Sequence, residues 1–551
     1  MAKYTAVLLE AAGIQEYIFS SNHLAQNVGA SELVEQISEK WLKEIFRDAS
    51  IIANVPLDDD QKFHLDERQV PEVGAEVIYR GGGKALLMFT DQATAEKFIR
   101  KLSRRVVEEA PGLNLVVVHD QFDWEEHALA SVHRELRIKL AARKLDRQFS
   151  APLVGLGVTA KCVYTGMPAV GWDDDEKLVG HDAAERKKSL GEKPRLISAE
   201  VAAKLRAERF AQKRLADLIK DLQKENPEFT KNLKEKFEFA QSFNDFGEKG
   251  TSSYIAVIHA DGNGMGKRFS AIDEAYNAPA QNREYIRRLR EFSKSIHDRA
   301  DHALKTVIKH LMEHWSENQF RPIVFGGDDV TFVCEGHLGL TIAAEYLRAY
   351  SSKPLTDGKL PYARAGVAVV KSHYPFSRAY DLAANQLARE AKKKINLLKQ
   401  FDKESAAVMD WHFSTRGIEL GLDEIRKREY TAKNGKPLLM RPIRIRVADE
   451  QQESKMNVWR TWSNFSNLVR AFQTHEAWRE RRNKIKALRA ALRQGPEAVK
   501  LFLRNYDLEE LPPIPEQPNM KEQGWQGGEC GYFDAIEAID FFISFKENGE
   551  T

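Results

Sequence analysis

The sequence predicts an α+β protein in which one unit of strand, helix, hairpin, helix and strand is used twice. Charged helices are expected between the two copies and more helices after the second. Three observations carry this. Two glycine-centred turns, Gly81-Gly82-Gly83 and Gly326-Gly327-Asp328-Asp329, each lie between short apolar runs rich in β-branched and aromatic residues, which is a hairpin signal. An apolar strand-like run precedes each hairpin, at 4–9 and at 254–260. The order of elements seen from residue 4 to 118 recurs from 254 to 370.

In the first copy, 30–47 has the spacing of an amphipathic helix, with Leu33, Val34, Ile37, Trp41 and Ile45 on one face. A hairpin at 76–89, a helix at 92–109 and a strand at 113–118 follow. This copy has Gly83 and Lys84 where the second has Asp328 and Asp329, and Glu10-Ala11-Ala12 near the place of Asp261. It is therefore expected to hold no metal, with Lys84 facing phosphate or solvent, or else to serve packing alone. A charged helix is expected at 125–148 and a short strand at 154–163. A helical bridging arm at 183–250 is expected to carry its charges on a solvated face, with a loop at 243–253.

The second copy opens with the strand at 254–260, which runs into Asp261-Gly262-Asn263-Gly264-Met265-Gly266-Lys267. An aspartate at a strand end, followed by a glycine-rich turn into a helix, suits phosphate and metal binding, because the backbone N–H groups are bare and Lys267 adds charge. A plain strand-to-helix turn is the alternative. After a long helix at 284–315 comes the hairpin 323–333. Gly326 and Gly327 let a ligand approach the backbone. Adjacent Asp328 and Asp329 point to opposite faces if both are in a strand. Bare carboxylates at such a tip call for a cation, and Mg²⁺ takes one or two carboxylates plus substrate phosphates; an exposed acidic turn is the alternative. Two neighbouring antiparallel strands would bring Asp261 and Asp328 to one metal pair, the logic of two-metal nucleotidyl transfer. A helix at 337–349, a strand at 363–370, a helix at 376–398 ending in Lys392-Lys393-Lys394, and strands at 405–413 and 438–447 complete this copy.

These motifs, with Ala391-Lys392, resemble the second palm domain of the large subunit of type III CRISPR effector complexes. That family makes cyclic oligoadenylates from ATP and shares its palm with GGDEF diguanylate cyclases and, more distantly, class III nucleotidyl cyclases. Gly13-Ile14-Gln15-Glu16-Tyr17-Ile18-Phe19 and Gly29-Ala30-Ser31 resemble the start of its first palm. The resemblance implies two ferredoxin-like, GGDEF/cyclase-like palm domains: a degenerate one at 1–122 and a catalytic one at 251–446. A helical bridging domain at 123–250 and a helical C-terminal domain at 447–551 would accompany them. It implies Asp261, Asp328 and Asp329 as catalytic residues, with Asp261, Gly262 and Asp328 holding two Mg²⁺ or Mn²⁺ ions. Gly262, Asn263, Gly264, Lys267, Gly326, Gly327 and Lys392 would bind nucleotide, Lys392 through the triphosphate. A basic helix C-terminus explains Lys393 and Lys394 without a ligand.

The segment Cys162-Val163-Tyr164-Thr165 resembles the start of that family's zinc site, but Thr165 stands at the second cysteine position, so no zinc is expected. The family's His-Asp nuclease domain is also not expected, because the first copy begins almost at Met1. The His-Asp pairs at 119, 181 and 297 lack further spaced ligands.

A formal net charge of +2 argues against a generally basic nucleic-acid coat. No apolar run reaches the ~18–20 residues of a membrane span, and three scattered cysteines suit reduced thiols. A cytoplasmic protein without membrane contact is expected. Toward the C-terminus, Trp459, Trp462, Phe465, Leu468, Val469 and Phe472 read as helix core. Arg479, Arg481, Arg482, Lys484, Lys486, Arg489 and Arg493 form a basic helix that is a solvated surface or else tracks an RNA backbone or a partner's acidic face. A Pro/Gly-rich linker at 511–528 and a docked apolar helix at 532–545 close the chain.

The leading expectation is a metal-dependent nucleotidyltransferase that joins ATP or another nucleoside triphosphate into oligonucleotide signals for a downstream effector, the acceptor nucleotide lying between the two palms. The rival is an idle scaffold or RNA-binding subunit of a guide-RNA complex, which the basic helix favours and the intact acidic motifs oppose.

Overall fold

The computed structural model describes residues 3–56, 64–146, 157–189, 191–225, 237–246, 253–314, 319–394, 406–414, 421–445 and 459–545. By compactness the chain divides into two units. One is Met1–Thr230 with Gly264–Asp298, the other Lys231–Asn263 with Arg299–Thr551. The stretch that follows the Asp261 strand thus belongs to the first unit. Parts of the strand expected at 154–163, of the bridging arm, and of the ends of the helix at 376–398 and the strand at 438–447 lie outside the described residues.

In the first unit, β1 (Lys3–Ala12), β2 (Ala75–Gly81), β3 (Lys84–Phe89) and β4 (Asn114–Asp123) form an antiparallel sheet in the order β2-β3-β1-β4. After β1 come α1 (Ile14–Phe19), α2 (Leu24–Ser38) and α3 (Lys40–Asp48). The single helix expected at 30–47 is broken at Glu39, whose φ of −124° and ψ of −92° are not helical. The next helix, α4 (Gln92–Glu109), starts where Asp91 accepts the Thr94 N–H at 2.8 Å. Alternation of β1 sends Tyr4, Ala6 and Leu8 to one face. There they pack with Leu129, Leu136 and Leu140 of α5 (Leu129–Leu145).

The expected bridging arm is part of this unit. The chain passes through β5 (Gly171–Trp172), α6 (Glu176–Val179), α7 (His181–Ser189) and β6 (Leu196–Ile197) into α8 (Ala199–Glu225). Gly29 of α2 lies so close to α8 that a Cβ there would be 1.8 Å from the Lys204 carbonyl oxygen. Lys204 and Glu208 are buried, Lys204 donating to the Tyr17 carbonyl at 2.7 Å and Glu208 accepting both Arg186 Nη atoms at 2.7 and 2.6 Å. These charges do not form a solvated face, because burying them with partners lets α8 lie flat on α2. Next, α9 (Met265–Ala275) and the first half of α10 (Asn282–His314) complete the unit, with Tyr285, Ile286 and Leu289 in the same core as Leu8.

In the second unit, β7 (Tyr254–Gly262), β8 (Phe320–Val324), β9 (Asp329–Glu335), β10 (Ala363–Lys371), β11 (Ala407–Ser414) and β12 (Ile443–Ile445) form a sheet in the order β12-β11-β10-β7-β9-β8. Its run β8-β9-β7-β10 repeats the order of the first sheet. The pair β10–β11 is parallel and the other pairs are antiparallel.

One face carries α11 (Gly339–Tyr350). Its first residue sits where a Cβ would come within 2.3 Å of the Ala256 Cβ. The other face carries a helix in three parts: α12 (Phe376–Asp381), a π-helical turn at Leu382–Leu387, and α13 (Ala388–Lys394). Gly366 of β10 lies under that turn, and a Cβ on it would be 2.0 Å from the Ala383 carbonyl oxygen.

Beyond the sheet come α14 (Leu422–Glu429), α15 (Trp462–Thr474), α16 (Arg482–Gln494), α17 (Pro496–Asn505), α18 (Met520–Gln523) and α19 (Phe533–Ala538). The strand expected at 438–447 is described as only three residues, and α14 was not foreseen. The expected linker 511–528 is ordered: Leu511 and Ile514 are buried, and β13 (Trp525–Gln526) pairs with β14 (Glu529–Cys530). The helix expected at 532–545 stops at Ala538, followed by one 3₁₀ turn. No helix among the described residues is long and apolar enough to cross a membrane.

Arg479, Arg481, Arg482, Lys486 and Arg493 keep exposed side chains, as a solvated face requires, whereas Lys484 and Arg489 are drawn inward. Lys484 is buried over Trp478, Arg489 pairs with Glu537 at 3.0 Å, and Arg489 and Arg493 both lie over the Phe533 ring.

Candidate functional site

The register of the second sheet decides the site. Asp261 is the cross-strand partner of Asp329 on β9 and of Arg364 on β10. Directly opposite residues in antiparallel strands share a face, so Arg364, Asp261 and Asp329 form one row across three strands. The expectation that placed Asp328 in a strand beside Asp261 is corrected here. Asp328 closes the hairpin turn, where its carbonyl oxygen accepts the Gly262 N–H at 3.0 Å, and β9 begins at Asp329. Gly326 makes that turn with a φ of +104°. A Cβ on Gly327 would meet nothing within 4 Å. Gly326 and Gly327 thus leave a shallow, bare rim beside the acids.

Arg364 donates through Nη2 to Asp261 Oδ2 and through Nη1 to Asn263 Oδ1, the latter at 3.1 Å. Asn263 is itself fixed: its N–H donates to the Tyr362 carbonyl at 2.7 Å and its Nδ2 to the Ala406 carbonyl at 3.1 Å. Behind the row, on the same face, His259 Nδ1 lies 3.3 Å from Thr331 Oγ1 and 3.4 Å from Asp329 Oδ1, with the Tyr380 ring edge-on at 5.7 Å. Burial, with a smaller contribution from Arg364, pulls His259 down to about 4, so the imidazole is neutral.

Burial and then the Asp261 charge push Asp329 up to about 7, against the pull of Arg364. The Asp329 side chain nevertheless keeps 50% exposure. Solvent therefore screens much of the burial effect, and like-charge repulsion from Asp261 is the firmer cause.

Two carboxylates that repel one another across adjacent strands suit a divalent cation. Among the described residues no group of three or more His, Cys, Asp or Glu has metal-ligand geometry. Two carboxylates with the remaining positions left to phosphate and water is the pattern Mg²⁺ uses, so the donor set fits. Gly264 and Lys267 lie in the first unit, where Gly264, left-handed at a φ of +69°, caps α9.

Lys392 is exposed near the end of α13. The helix returns from the far end of β10, so its last turns point back toward the end of the sheet that carries Asp261 and Arg364. The first sheet gives a parallel. Lys144 stands as far beyond Val116, the register partner of Glu10, as Lys392 stands beyond Arg364, and Lys144 Nζ reaches Glu10 Oε2 at 2.7 Å.

The same row in the first sheet is closed on itself. Glu10 is opposite Lys84, and their side chains pair at 2.9 Å. Ala11 N–H donates to the Gly83 carbonyl at 2.9 Å, as Gly262 does to Asp328. Burial raises Glu10, but Lys144 and Lys84 outweigh it and hold the carboxyl below its usual range. Lys84 therefore pairs with Glu10 while its side chain stays 44% exposed to solvent.

At the former zinc segment, Cys162 is buried and Thr165 Oγ1 hydrogen-bonds Ser198 Oγ at 3.2 Å. Arg364 and His259 were missed in the sequence. An arginine two residues before the glycine of an otherwise apolar strand was the available signal for Arg364.

Residues 254–398 match the family model for the second palm domain of Cas10/Cmr2. Among solved structures, the chain is similar to that of a Csm1–Csm4 cassette in complex with cA4, with a TM-score of 0.51, 13% identity, and 98% of this chain and 69% of that one covered. It is similar in the same measure to Csm1 from T. onnurineus, with a TM-score of 0.51, 13% identity, and coverage of 98% and 70%. No curated protein matches. The span that holds the Arg364, Asp261 and Asp329 row is thus a second palm domain of the Cas10/Cmr2 kind.

Proposed function

We propose that the chain is a metal-dependent nucleotidyltransferase that condenses ATP into cyclic or linear oligoadenylates with release of pyrophosphate. The observation that carries this is the register pairing of Asp261 with Asp329 inside the matched palm span. The two sheets are read as duplicated ferredoxin-like palms, with the Glu10 side silent and the Asp261 side active.

Asp261 and Asp329 would hold the cations, with Asp328 and the Gly262 carbonyl beside them. Two Mg²⁺ or Mn²⁺ ions would supply acidification of a ribose 3′-hydroxyl and neutralisation of the leaving pyrophosphate. The bare Gly326-Gly327 rim makes room for nucleotide. Gly262 and Asn263 are assigned to the nucleotide, and Lys392 to the triphosphate as a point charge. The neutral His259 keeps Asp329 in place without adding charge. A structure of similar fold was solved as a Csm1–Csm4 cassette with cA4, which supports a partner subunit of that type and a product of that class. The scaffold reading leans on the basic helix, where Lys484 and Arg489 have internal partners and Arg479, Arg481, Arg482, Lys486 and Arg493 remain exposed.

The test is incubation of the purified chain with labelled ATP and Mn²⁺, with and without target RNA and partner subunits, followed by chromatography. Oligoadenylates are expected from the wild type and none from Asp261→Asn or Asp329→Asn. Wild type that stays inactive under every condition would leave the scaffold reading standing.

A further inference from the structure

Arg364 occupies a position that a divalent cation would contest. It donates to Asp261 Oδ2, and the register leaves Asp261 between Arg364 on one side and Asp329 on the other. The guanidinium is largely buried, at 14% exposure, whereas Asp261 keeps 30% and Asp329 50%. Its second bond, to Asn263 Oδ1, does not involve either acid, and Asn263 is anchored at both ends of its own side chain and backbone.

A cation on Asp261 and a guanidinium on the same carboxylate repel each other, so each weakens the other's hold on Asp261. An arginine released from Asp261 while still held by Asn263 stays at the rim of the site, and its planar fork suits a phosphate oxygen.

Resting on the nucleotidyltransferase reading above, we propose that Arg364 is a resident counter-ion of Asp261 that exchanges partners on loading, giving up the carboxylate to the cation and taking a phosphate of the nucleotide. It is a positioning residue that makes the two ligands bind cooperatively. Metal alone binds weakly because Arg364 competes with it, and metal with triphosphate binds tightly because the displaced guanidinium gains a partner.

The experiment is Mn²⁺ titration of the full chain by electron paramagnetic resonance, without nucleotide and then with a non-hydrolysable ATP analogue, for wild type, Arg364→Gln, Arg364→Lys and Asp261→Asn. Wild type should bind Mn²⁺ weakly alone and roughly tenfold or more tightly with the analogue. Arg364→Gln should bind Mn²⁺ alone roughly tenfold more tightly than wild type and show little further gain with the analogue. Arg364→Lys keeps the charge but not the fork, so it should bind Mn²⁺ alone like wild type and still lose most of the gain.

An Arg364→Gln protein with wild-type Mn²⁺ affinity and wild-type gain, while Asp261→Asn abolishes binding, would overturn the exchange and spare the nucleotide reading. Mn²⁺ binding untouched by Asp261→Asn would overturn both. Should Arg364→Gln not fold, an undiminished gain in Arg364→Lys would be enough to overturn the exchange.

Discussion

The two sheets solve one electrostatic problem in opposite ways. Each places an acid at the end of its first strand, opposite the first residue of the second hairpin strand. In the first sheet that residue is Lys84, and with Lys144 it closes Glu10 into an internal ion cluster. In the second sheet it is Asp329, and the row Arg364, Asp261, Asp329 keeps an acid that repulsion from Asp261 holds above the usual carboxylate range. The backbone is shared down to the hydrogen bond from Ala11 to Gly83 and from Gly262 to Asp328. What separates the closed row from the open one is therefore two side chains at a fixed register. The open site is the one whose charges remain unbalanced until a ligand arrives.

The most severe way to break the comparison is to neutralise the open row. Asp261→Asn and Asp329→Asn should each lower oligoadenylate synthesis by roughly a thousandfold or more, about 4 kcal/mol at about 1.4 kcal/mol per decade. Single-turnover assays at saturating ATP check this. The matching change in the first sheet, Glu10→Gln, should leave the chemical step within a few-fold of wild type. A collapse of chemistry in Glu10→Gln would erase the distinction.

The next effect concerns how closely the returning helix approaches the sheet. Gly366 occupies the register position that Val118 occupies in the first sheet, and only Gly366 lies against helix backbone. Gly366→Ala should cost about 1–3 kcal/mol of stability in chemical denaturation, because backbone cannot move aside as a side chain can. Val118→Ala, on a half-buried position, should cost less. Equal costs would show that the two helices stand at the same height.

Asp329 also gives the second sheet a pH signature. An unfolded aspartate titrates near pH 3.9, and the folded one at about 7. Between these values the folded state binds the extra proton, so the contribution of Asp329 to stability falls as pH rises from about 4 to about 7 and is flat above that. In metal-free buffer, Asp329→Asn should remove this fall. Its melting temperature should match wild type near pH 4 and exceed it increasingly toward pH 7. Saturating Mn²⁺ should raise the wild type and leave the variant unmoved. A difference between Asp329→Asn and wild type that does not change over that range would contradict the assigned repulsion.

The smallest effect is expected at Lys84. Its side chain is 44% exposed, so Lys84→Ala should change stability by only about 0–1 kcal/mol and leave metal-dependent chemistry intact. Thermal unfolding with a parallel activity assay checks both.

Much of this comparison was legible in the sequence, for a physical reason. Period-2 runs around glycine turns fix strand pairing locally, so both hairpins and the alignment of Gly83-Lys84 with Asp328-Asp329 followed from residue order alone. The relative position of the two aspartates did not. One residue of turn shifts which carboxylate begins β9, and Asp329 rather than Asp328 became the partner of Asp261. Arg364 was hidden because it lies about a hundred residues from Asp261, and only the β7–β10 register joins them. The basic helix was legible in part: Arg481, Arg482 and Lys486 are exposed, as a solvated face implies, but Arg489 finds Glu537 and Phe533, which lie far along the chain.

The parallel pairing of β10 with β11 has a consequence for how the second domain assembles. Parallel neighbours cannot be joined by a tight turn, and the stretch between these strands holds α12, the π-helical turn and α13. The helix that bears Lys392 is thus tethered at both ends to the sheet it covers, whereas α5 is followed by a separate small sheet. Closing that crossover precedes the β10–β11 ladder, which makes it a late, entropically demanding step of folding. The strands β11 and β12 and the Lys392 helix should therefore exchange their amide hydrogens as one cooperative unit, distinct from β7 and the β8–β9 hairpin.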